Sequence, residues 1–162
     1  MHTALIGELK YEASNTRKIL ARIPEEQFNW KPHEKSMSLA RLACHIAELP
    51  QWIAHIMTGA EFNFATDSFN RINVSSRDEL IAIFELTIQR AIEYLEKATD
   101  DELNTSWTLR RAEIMLFELP RKVAIRNMVM NHIVHHRGQL SVYLRLLNVP
   151  VPGMYGPSAD EK

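Results

Sequence analysis

Cysteine is almost absent from this sequence, since Cys44 is the only one among 162 residues. An internal disulfide is therefore excluded, and the lack of a disulfide framework is typical of proteins of the reducing cytosol. We expect a cytoplasmic protein in which Cys44 is a small packing residue.

Long apolar runs are absent as well. No stretch approaches the ~18 uninterrupted apolar residues that a transmembrane helix requires. The N-terminal segment places charges early, at Glu8, Lys10 and Glu12, so it lacks the apolar centre of a signal peptide. We therefore expect neither a membrane span nor a membrane partner.

An excess of charge of one sign is the third feature that this sequence lacks. It contains 19 basic and 20 acidic residues, and its formal net charge is -1. No global field attracts such a chain to nucleic acid, so a nucleic-acid partner is disfavoured. The modest basic patch is more simply a solvated surface; its members are Arg110, Arg111, Arg121, Lys122 and Arg126.

Helical periodicity is the dominant feature that is present. The length and a hydrophobic fraction of 46% suit a single domain over residues 1–162, with an irregular tail from about residue 150. The spacing of apolar residues predicts four helices, and Pro50 predicts a kink in the second. They span residues 3–22, 36 or 38 to 58, 76–98 and 120–147. The sequence therefore predicts an all-α fold, a four-helix bundle with long inter-helix connections.

The second of the two long connections, over residues 99–120, contains the only hints of strand. Residues 105–109 are compatible with an extended segment, and residues 113–119 are ambiguous. Because connections of this length exceed what a minimal bundle needs, we expect them to cover one end of it.

Histidine is the most informative residue type. Three of the seven histidines fall within five residues on the fourth predicted helix. His132 and His136 are spaced i, i+4, so they lie on one face, at positions where the pattern calls for apolar residues. His135 points about 100° away, and we leave it outside the site. Two neutral imidazoles one turn apart direct nitrogens towards one ion.

A third histidine interrupts the apolar stripe of the second predicted helix. His45 lies in line with Leu42, Leu49 and Trp52, and facing helices of a bundle project such residues into a shared core. A lone inward histidine is more often hydrogen-bonded to a backbone carbonyl. Three buried imidazoles are a different case, since an unpaired one costs ~1–3 kcal/mol and one ion satisfies all three. We therefore predict a divalent metal ion on His45, His132 and His136.

Three nitrogen ligands leave coordination positions open, which is typical of catalytic zinc sites rather than structural ones. Zinc or nickel is the expected ion, and iron or manganese are alternatives. Glu48, three residues after His45, is the candidate catalytic residue, either as a general base or as a group that orients an imidazole.

Other polar residues are predicted to lie outside the site. We expect His55 at the surface, and Arg137 and Gln139 bonded to loops or to a neighbouring subunit. Gly138 costs ~1 kcal/mol within a helix, and a close helix crossing is the expected compensation.

Three segments carry a resemblance to a known family. The run His132-Ile-Val-His-His-Arg-Gly-Gln-Leu140, the run Leu42-Ala-Cys-His45-Ile-Ala-Glu48 and the tail over residues 149–160 resemble the DinB family of damage-inducible-type bundles. The resemblance implies metal binding by His45, His132 and His136, and it implies homodimers. Several relatives use the metal to activate a thiol such as bacillithiol or mycothiol, in S-transferase or isomerase reactions.

Three functions remain open from the sequence. The first is a metal-dependent enzyme that acts on a small molecule, as a thiol S-transferase. The second is a hydrolase in which Glu48 activates a metal-bound water. The third is a dimeric, stress-related metal-binding protein without enzymatic activity.

Overall fold

A computed structural model describes residues 1–161 of the chain. Helices account for most of them: α1 (His2–Leu20), α2 (Leu39–Glu48), α3 (Gln51–Thr58), α4 (Arg77–Lys97), α5 (Asp100–Asn104), α6 (Arg121–Ile125) and α7 (Asn131–Leu146). A π-helical turn over Arg126–Met130 joins α6 to α7, and a short 3-10 turn spans Glu25–Gln27. Such π-helical turns are rare in proteins, and those that do occur are often found at functional sites.

Local sequence signals account for the helix starts. The Ser38 hydroxyl accepts a hydrogen bond from the Arg41 amide at 3.2 Å, and Ser76 does the same for the amide of Glu79. These side chains satisfy amides that have no partner within the first helical turn. Pro50 divides the second predicted helix into α2 and α3, because it supplies no amide hydrogen to continue the ladder.

The prediction of an all-α four-helix bundle is wrong, because the two long connections form a sheet. Its strands are β1 (Glu61–Asn63), β2 (Ser106–Arg111) and β3 (Ile114–Pro120), in the order β1-β2-β3. The first pair is parallel, with Phe62 opposite Leu109, and the second is antiparallel, with Trp107 opposite Leu119. The structure therefore combines helices with a small mixed sheet.

The β2–β3 hairpin escaped prediction because its turn lacks the usual residues. Two-residue hairpin turns favour Gly, Asn or Asp where the backbone needs a positive φ. Here Ala112 adopts a φ of 52°. The Asn63 side chain holds the turn, since it accepts from the Ala112 amide at 2.9 Å and donates to its carbonyl at 3.3 Å. A contact between residues distant in sequence thus replaces the local signal.

The hydrophobic core lies between the long helices. Leu9 of α1, Leu42 of α2, Phe84 of α4 and Ile133 of α7 have no exposed surface. Helices α1 and α2 each pack against both α4 and α7, and β1 packs beside α3. Within residues 1–161, no helix combines the length and the apolar character that crossing a membrane would demand. The packing of α2 on α7 brings the two histidine-bearing faces together.

Candidate metal centre

The structure brings together the three histidines that the sequence singled out. The ring centroids of His45 and His132 are 5.1 Å apart, and those of His45 and His136 are 4.6 Å apart. The rings of His132 and His136 are separated by 4.6 Å. One ring nitrogen from each residue lies within 4.8 Å of the other two. The exposed side chain of His135 is not a member of this cluster.

The cluster fits a transition-metal ion. Imidazole nitrogens bind zinc at about 2.0–2.1 Å, so small side-chain rotations suffice for one ion to contact all three. The donor set consists of nitrogen alone, which suits zinc, nickel and iron and does not suit calcium or magnesium. Three such residues could therefore hold a metal ion and leave further coordination positions open.

Glu48 supports His45 from the same helix. Its Oε2 atom lies 3.4 Å from His45 Nδ1 and also accepts from the Arg41 guanidinium, while its Oε1 atom accepts from the Ile72 amide at 2.6 Å. Burial raises the pKa of Glu48, but the hydrogen bonds from His45, Arg41 and the Ile72 amide outweigh burial, and the net shift is downward. A charged carboxylate thus faces Nδ1 of His45, which leaves Nε2 for a metal.

The other two imidazoles also have polar neighbours outside the cluster. Nδ1 of His136 lies 2.8 Å from Gln139 Oε1, and the Gln139 amide nitrogen is 3.1 Å from His135 Nε2. The backbone of Met128, within the π-helical turn, lies near His132 and opposes the lowering of its pKa by burial. Metal-binding histidines characteristically donate their second ring N–H to such groups, which fixes the ring orientation.

Burial also keeps two of the rings neutral. It lowers the pKa of His132 to about 4, with further lowering by the neighbouring His136 and His45. Burial likewise lowers the pKa of His136, although the hydrogen bond with Gln139 opposes the shift. Neutral imidazole is the form that binds metal, so both rings are in the binding form at neutral pH.

A cavity of about 380 Å³ opens beside the histidines. Trp52 and Phe69 form a stacked pair in its wall, with ring centroids 4.7 Å apart, and the Phe64 ring lies 5.9 Å from that of Trp52. Asp67 and Arg71 add charge to the lining. The size and the largely apolar wall are typical of small-molecule sites.

Sequence reasoning missed several residues of this region. Phe64, Phe69 and Arg71 lie in the loop between β1 and α4, which has no periodicity to reveal them. Arg41 did have a signal, because it precedes His45 by four residues and Glu48 by seven, on one helical face.

Several residues outside the cluster differ from expectation. His55 is half-buried against Phe62, with ring centroids 4.9 Å apart. Gln139 bonds two histidines. Arg137 is buried against Glu12 of α1, and it also makes the expected contact with a loop, through the Tyr155 hydroxyl of the C-terminal tail. The close crossing expected at Gly138 is absent, since a Cβ there would meet no atom within 4 Å from any part of residues 1–161 beyond its own stretch of helix.

Comparison with known proteins places this chain in a family. The Bacillus subtilis protein YrdA is 23% identical to this chain, and the match covers 94% of this chain and 86% of YrdA. The B. subtilis protein YjoA is 25% identical, and the match covers 80% of each chain. A solved DinB-like protein from Bacillus cereus is 25% identical with a TM-score of 0.68, covering 90% of this chain and 92% of that one. The solved B. subtilis YjoA has a TM-score of 0.70 at 18% identity, covering 98% and 99% of the two chains.

A more distant structural neighbour is a mycothiol-dependent maleylpyruvate isomerase, at a TM-score of 0.55 and 13% identity over 83% of this chain and 60% of that one. This likeness concerns the fold. The profile of the DinB family itself matches residues 1–162. Because that match extends over the full length of the chain, the protein belongs to the DinB family.

Proposed function

We propose that the protein is a metal-dependent enzyme that binds one divalent transition-metal ion through His45, His132 and His136 and acts on a small-molecule thiol. The observation that carries the proposal is the convergence of three imidazole nitrogens within 4.8 Å of one another. The cavity beside them supports an enzyme rather than a purely structural metal site. The homodimer implied by the family resemblance is part of the proposal, and sedimentation equilibrium of the purified protein checks it.

A divalent ion held by three imidazoles would bind and activate a thiolate or polarise a carbonyl at its open positions. The protein's own residues contribute orientation. Glu48 and Gln139 fix the rings of His45 and His136, and the Trp52–Phe69 pair forms an apolar wall on one side of the cavity. Rigid ligands and an apolar wall favour a well-defined position of the substrate.

The thiol class is supported by one structural neighbour, whose isomerase activity depends on mycothiol. Hydrolysis with Glu48 as the general base has less support. The Glu48 side chain is 1% exposed, and both of its oxygens already accept hydrogen bonds. This position suits a group that orients His45, and a catalytic role for Glu48 stays a prediction.

Metal analysis tests the first half of the proposal. Purified wild-type protein should contain about one equivalent of a transition metal, measured by inductively coupled plasma mass spectrometry. His45→Ala, His132→Ala and His136→Ala should each lose most of it. His33→Ala is the matched control, because this exposed histidine lies outside the cluster and contacts none of its members. Full metal content in all three alanine variants contradicts the site.

A transfer assay tests the second half. Metal-loaded protein is incubated with a panel of bacterial thiols and a chromogenic electrophile, and conjugate formation is followed by absorbance. We expect turnover that disappears after chelation and in His132→Ala. Turnover no faster than that of metal-free protein with every thiol would refute the transferase, even if metal is bound.

A further inference from the structure

We infer that the cavity beside the three histidines takes a substrate in which a carboxylate is joined to an apolar body, and that Arg71 binds the carboxylate. The inference rests on the proposed function, because the reactive end of that substrate would lie at the histidines. Arg71 lines the same cavity as His45 and His132. The cavity thus has a metal-binding end and a cationic side chain in its lining.

Arg71 is free to bind an external anion. Among residues 1–161, no side chain or backbone group forms a hydrogen bond or ion pair with its guanidinium. Arg41, the other arginine close to His45, is committed to Glu48 and to the Ile72 carbonyl. A guanidinium presents paired N–H donors that match the two oxygens of a carboxylate, so an unpaired one in a cavity is suited to that group.

The backbone on both sides of Arg71 is anchored. The Ile72 amide donates to Glu48 at 2.6 Å, and the Ile72 carbonyl accepts from Arg41 at 3.1 Å. On the other side, the Asn70 carbonyl accepts from the Gln51 amide nitrogen at 3.3 Å. Three contacts to α2 and α3 therefore hold the loop at this point, which reduces the entropy lost when Arg71 binds a ligand.

The apolar body of the substrate is inferred from the walls. Trp52, Phe64 and Phe69 form an aromatic cluster, and Met128 adds a thioether side chain to the lining. Aromatic faces and a methionine offer large apolar area and few hydrogen-bonding groups. A purely polar anion would leave this surface uncovered, whereas an aryl or alkyl carboxylate would bury it.

The charges in the cavity favour an anion over a cation. Asp67 is already engaged, because its carboxylate accepts from the Asn63 amide at 2.8 Å and from the Thr66 hydroxyl at 3.3 Å. Glu48 is neutralised by Arg41. The negative charges of these two acids are balanced by the positive charges of Arg41 and Arg71. A divalent ion on the histidines would therefore give the cavity a net positive charge.

Two pairs of probes test the inference, with Arg71→Gln and the matched control Arg22→Gln, an exposed arginine outside the cavity. In the first arm, phenylacetate and its neutral analogue phenylacetamide are titrated into metal-free protein, and tryptophan fluorescence is recorded. In the second, para-(mercaptomethyl)benzoate and phenylmethanethiol are titrated into cobalt(II)-loaded protein, and the thiolate-to-cobalt absorption band is recorded.

In each arm, wild type and Arg22→Gln should bind the carboxylate probe about tenfold more tightly than its neutral partner, as for one exposed charge-assisted contact. In Arg71→Gln the two affinities should be equal, while Arg71→Lys should retain part of the preference. Equal affinities for phenylacetate and phenylacetamide in the wild type overturn the inference. An equal loss of affinity for the carboxylate probe and for its neutral partner in Arg71→Gln overturns it as well. Failure to bind cobalt with the phenylacetate preference intact refutes the metal site alone.

Discussion

Glu48 lies one helical turn after His45 on α2, and its Oε2 atom is 3.4 Å from Nδ1 of that histidine. The other oxygen of the same carboxylate accepts from the amide of Ile72. A single buried side chain therefore links His45, a proposed metal ligand, to the loop that carries Arg71. A change at Glu48 should consequently affect both the ion and the cavity.

Glu48→Gln keeps the shape of the side chain and removes its charge. We expect zinc affinity to fall about 10–100-fold, as is usual when a carboxylate behind a metal-binding histidine is lost. Competition with a chromogenic chelator measures the change. Glu96→Gln on α4 is the control, because this exposed carboxylate lies outside the metal cluster. Unchanged affinity in Glu48→Gln would show that Glu48 does not orient His45.

Gln139 should act on His136 in the same way. Gln139→Leu removes the oxygen that faces Nδ1 of His136, and we expect zinc affinity to fall about tenfold. Gln139→Glu keeps an acceptor and should restore the affinity. The same chelator competition provides the measurement, and equal affinities of the two variants would argue against a positioning role.

The low pKa of His132 predicts how metal-free protein responds to acid. Burial holds the pKa of His132 in the folded state at about 4, below the ordinary histidine value of 6.5. As the pH falls below 6.5, the unfolded chain takes up a proton that the folded chain refuses, so stability is lost until the pH reaches about 4. Above 6.5 both states are neutral at this residue, and it contributes no pH dependence.

Urea unfolding in the presence of a chelator measures this effect. The midpoint of the wild type should fall more steeply between neutral and acid pH than that of His132→Gln, which lacks the titrating group. Parallel pH profiles of the two proteins would mean that His132 is protonated as easily in the folded state as in the unfolded state.

Arg137 is predicted to matter for folding. It is 3% exposed, and its Nη2 atom donates to Glu12 Oε2 at 2.6 Å. Arg137→Met removes the charged partner of a buried carboxylate that then keeps only the hydrogen bond from the Tyr155 hydroxyl, and this should cost about 3–5 kcal/mol. The double variant Arg137→Met/Glu12→Leu should recover much of the loss, because the unpaired charge is gone.

Urea denaturation of both variants is the measurement, with Arg145→Met as the control. Arg145 also forms an ion pair, with Asp160, but its side chain is 51% exposed, so its loss should be small. If Arg137→Met and Arg145→Met are equally stable, the buried ion pair contributes no more to the free energy of unfolding than the exposed one.

The sequence by itself determined the features that depend on neighbours along one helix. His132 and His136 share a face because four residues make about one turn, and that spacing required no tertiary information. Ser76 and Pro50 likewise marked a helix start and a helix break through their own backbone chemistry. The family resemblance rested on the same local runs of residues.

Only the tertiary structure decided the features that join distant parts of the chain. Ala112 turns a hairpin because Asn63, 49 positions away, bonds its backbone, and that contact overturned the all-α prediction. The loop residue Arg71 reaches the cavity because Glu48 and Arg41 hold its neighbour Ile72. Packing and hydrogen bonds between remote segments leave no period in a sequence, which is why the shared face of His132 and His136 could be predicted and the sheet and cavity could not.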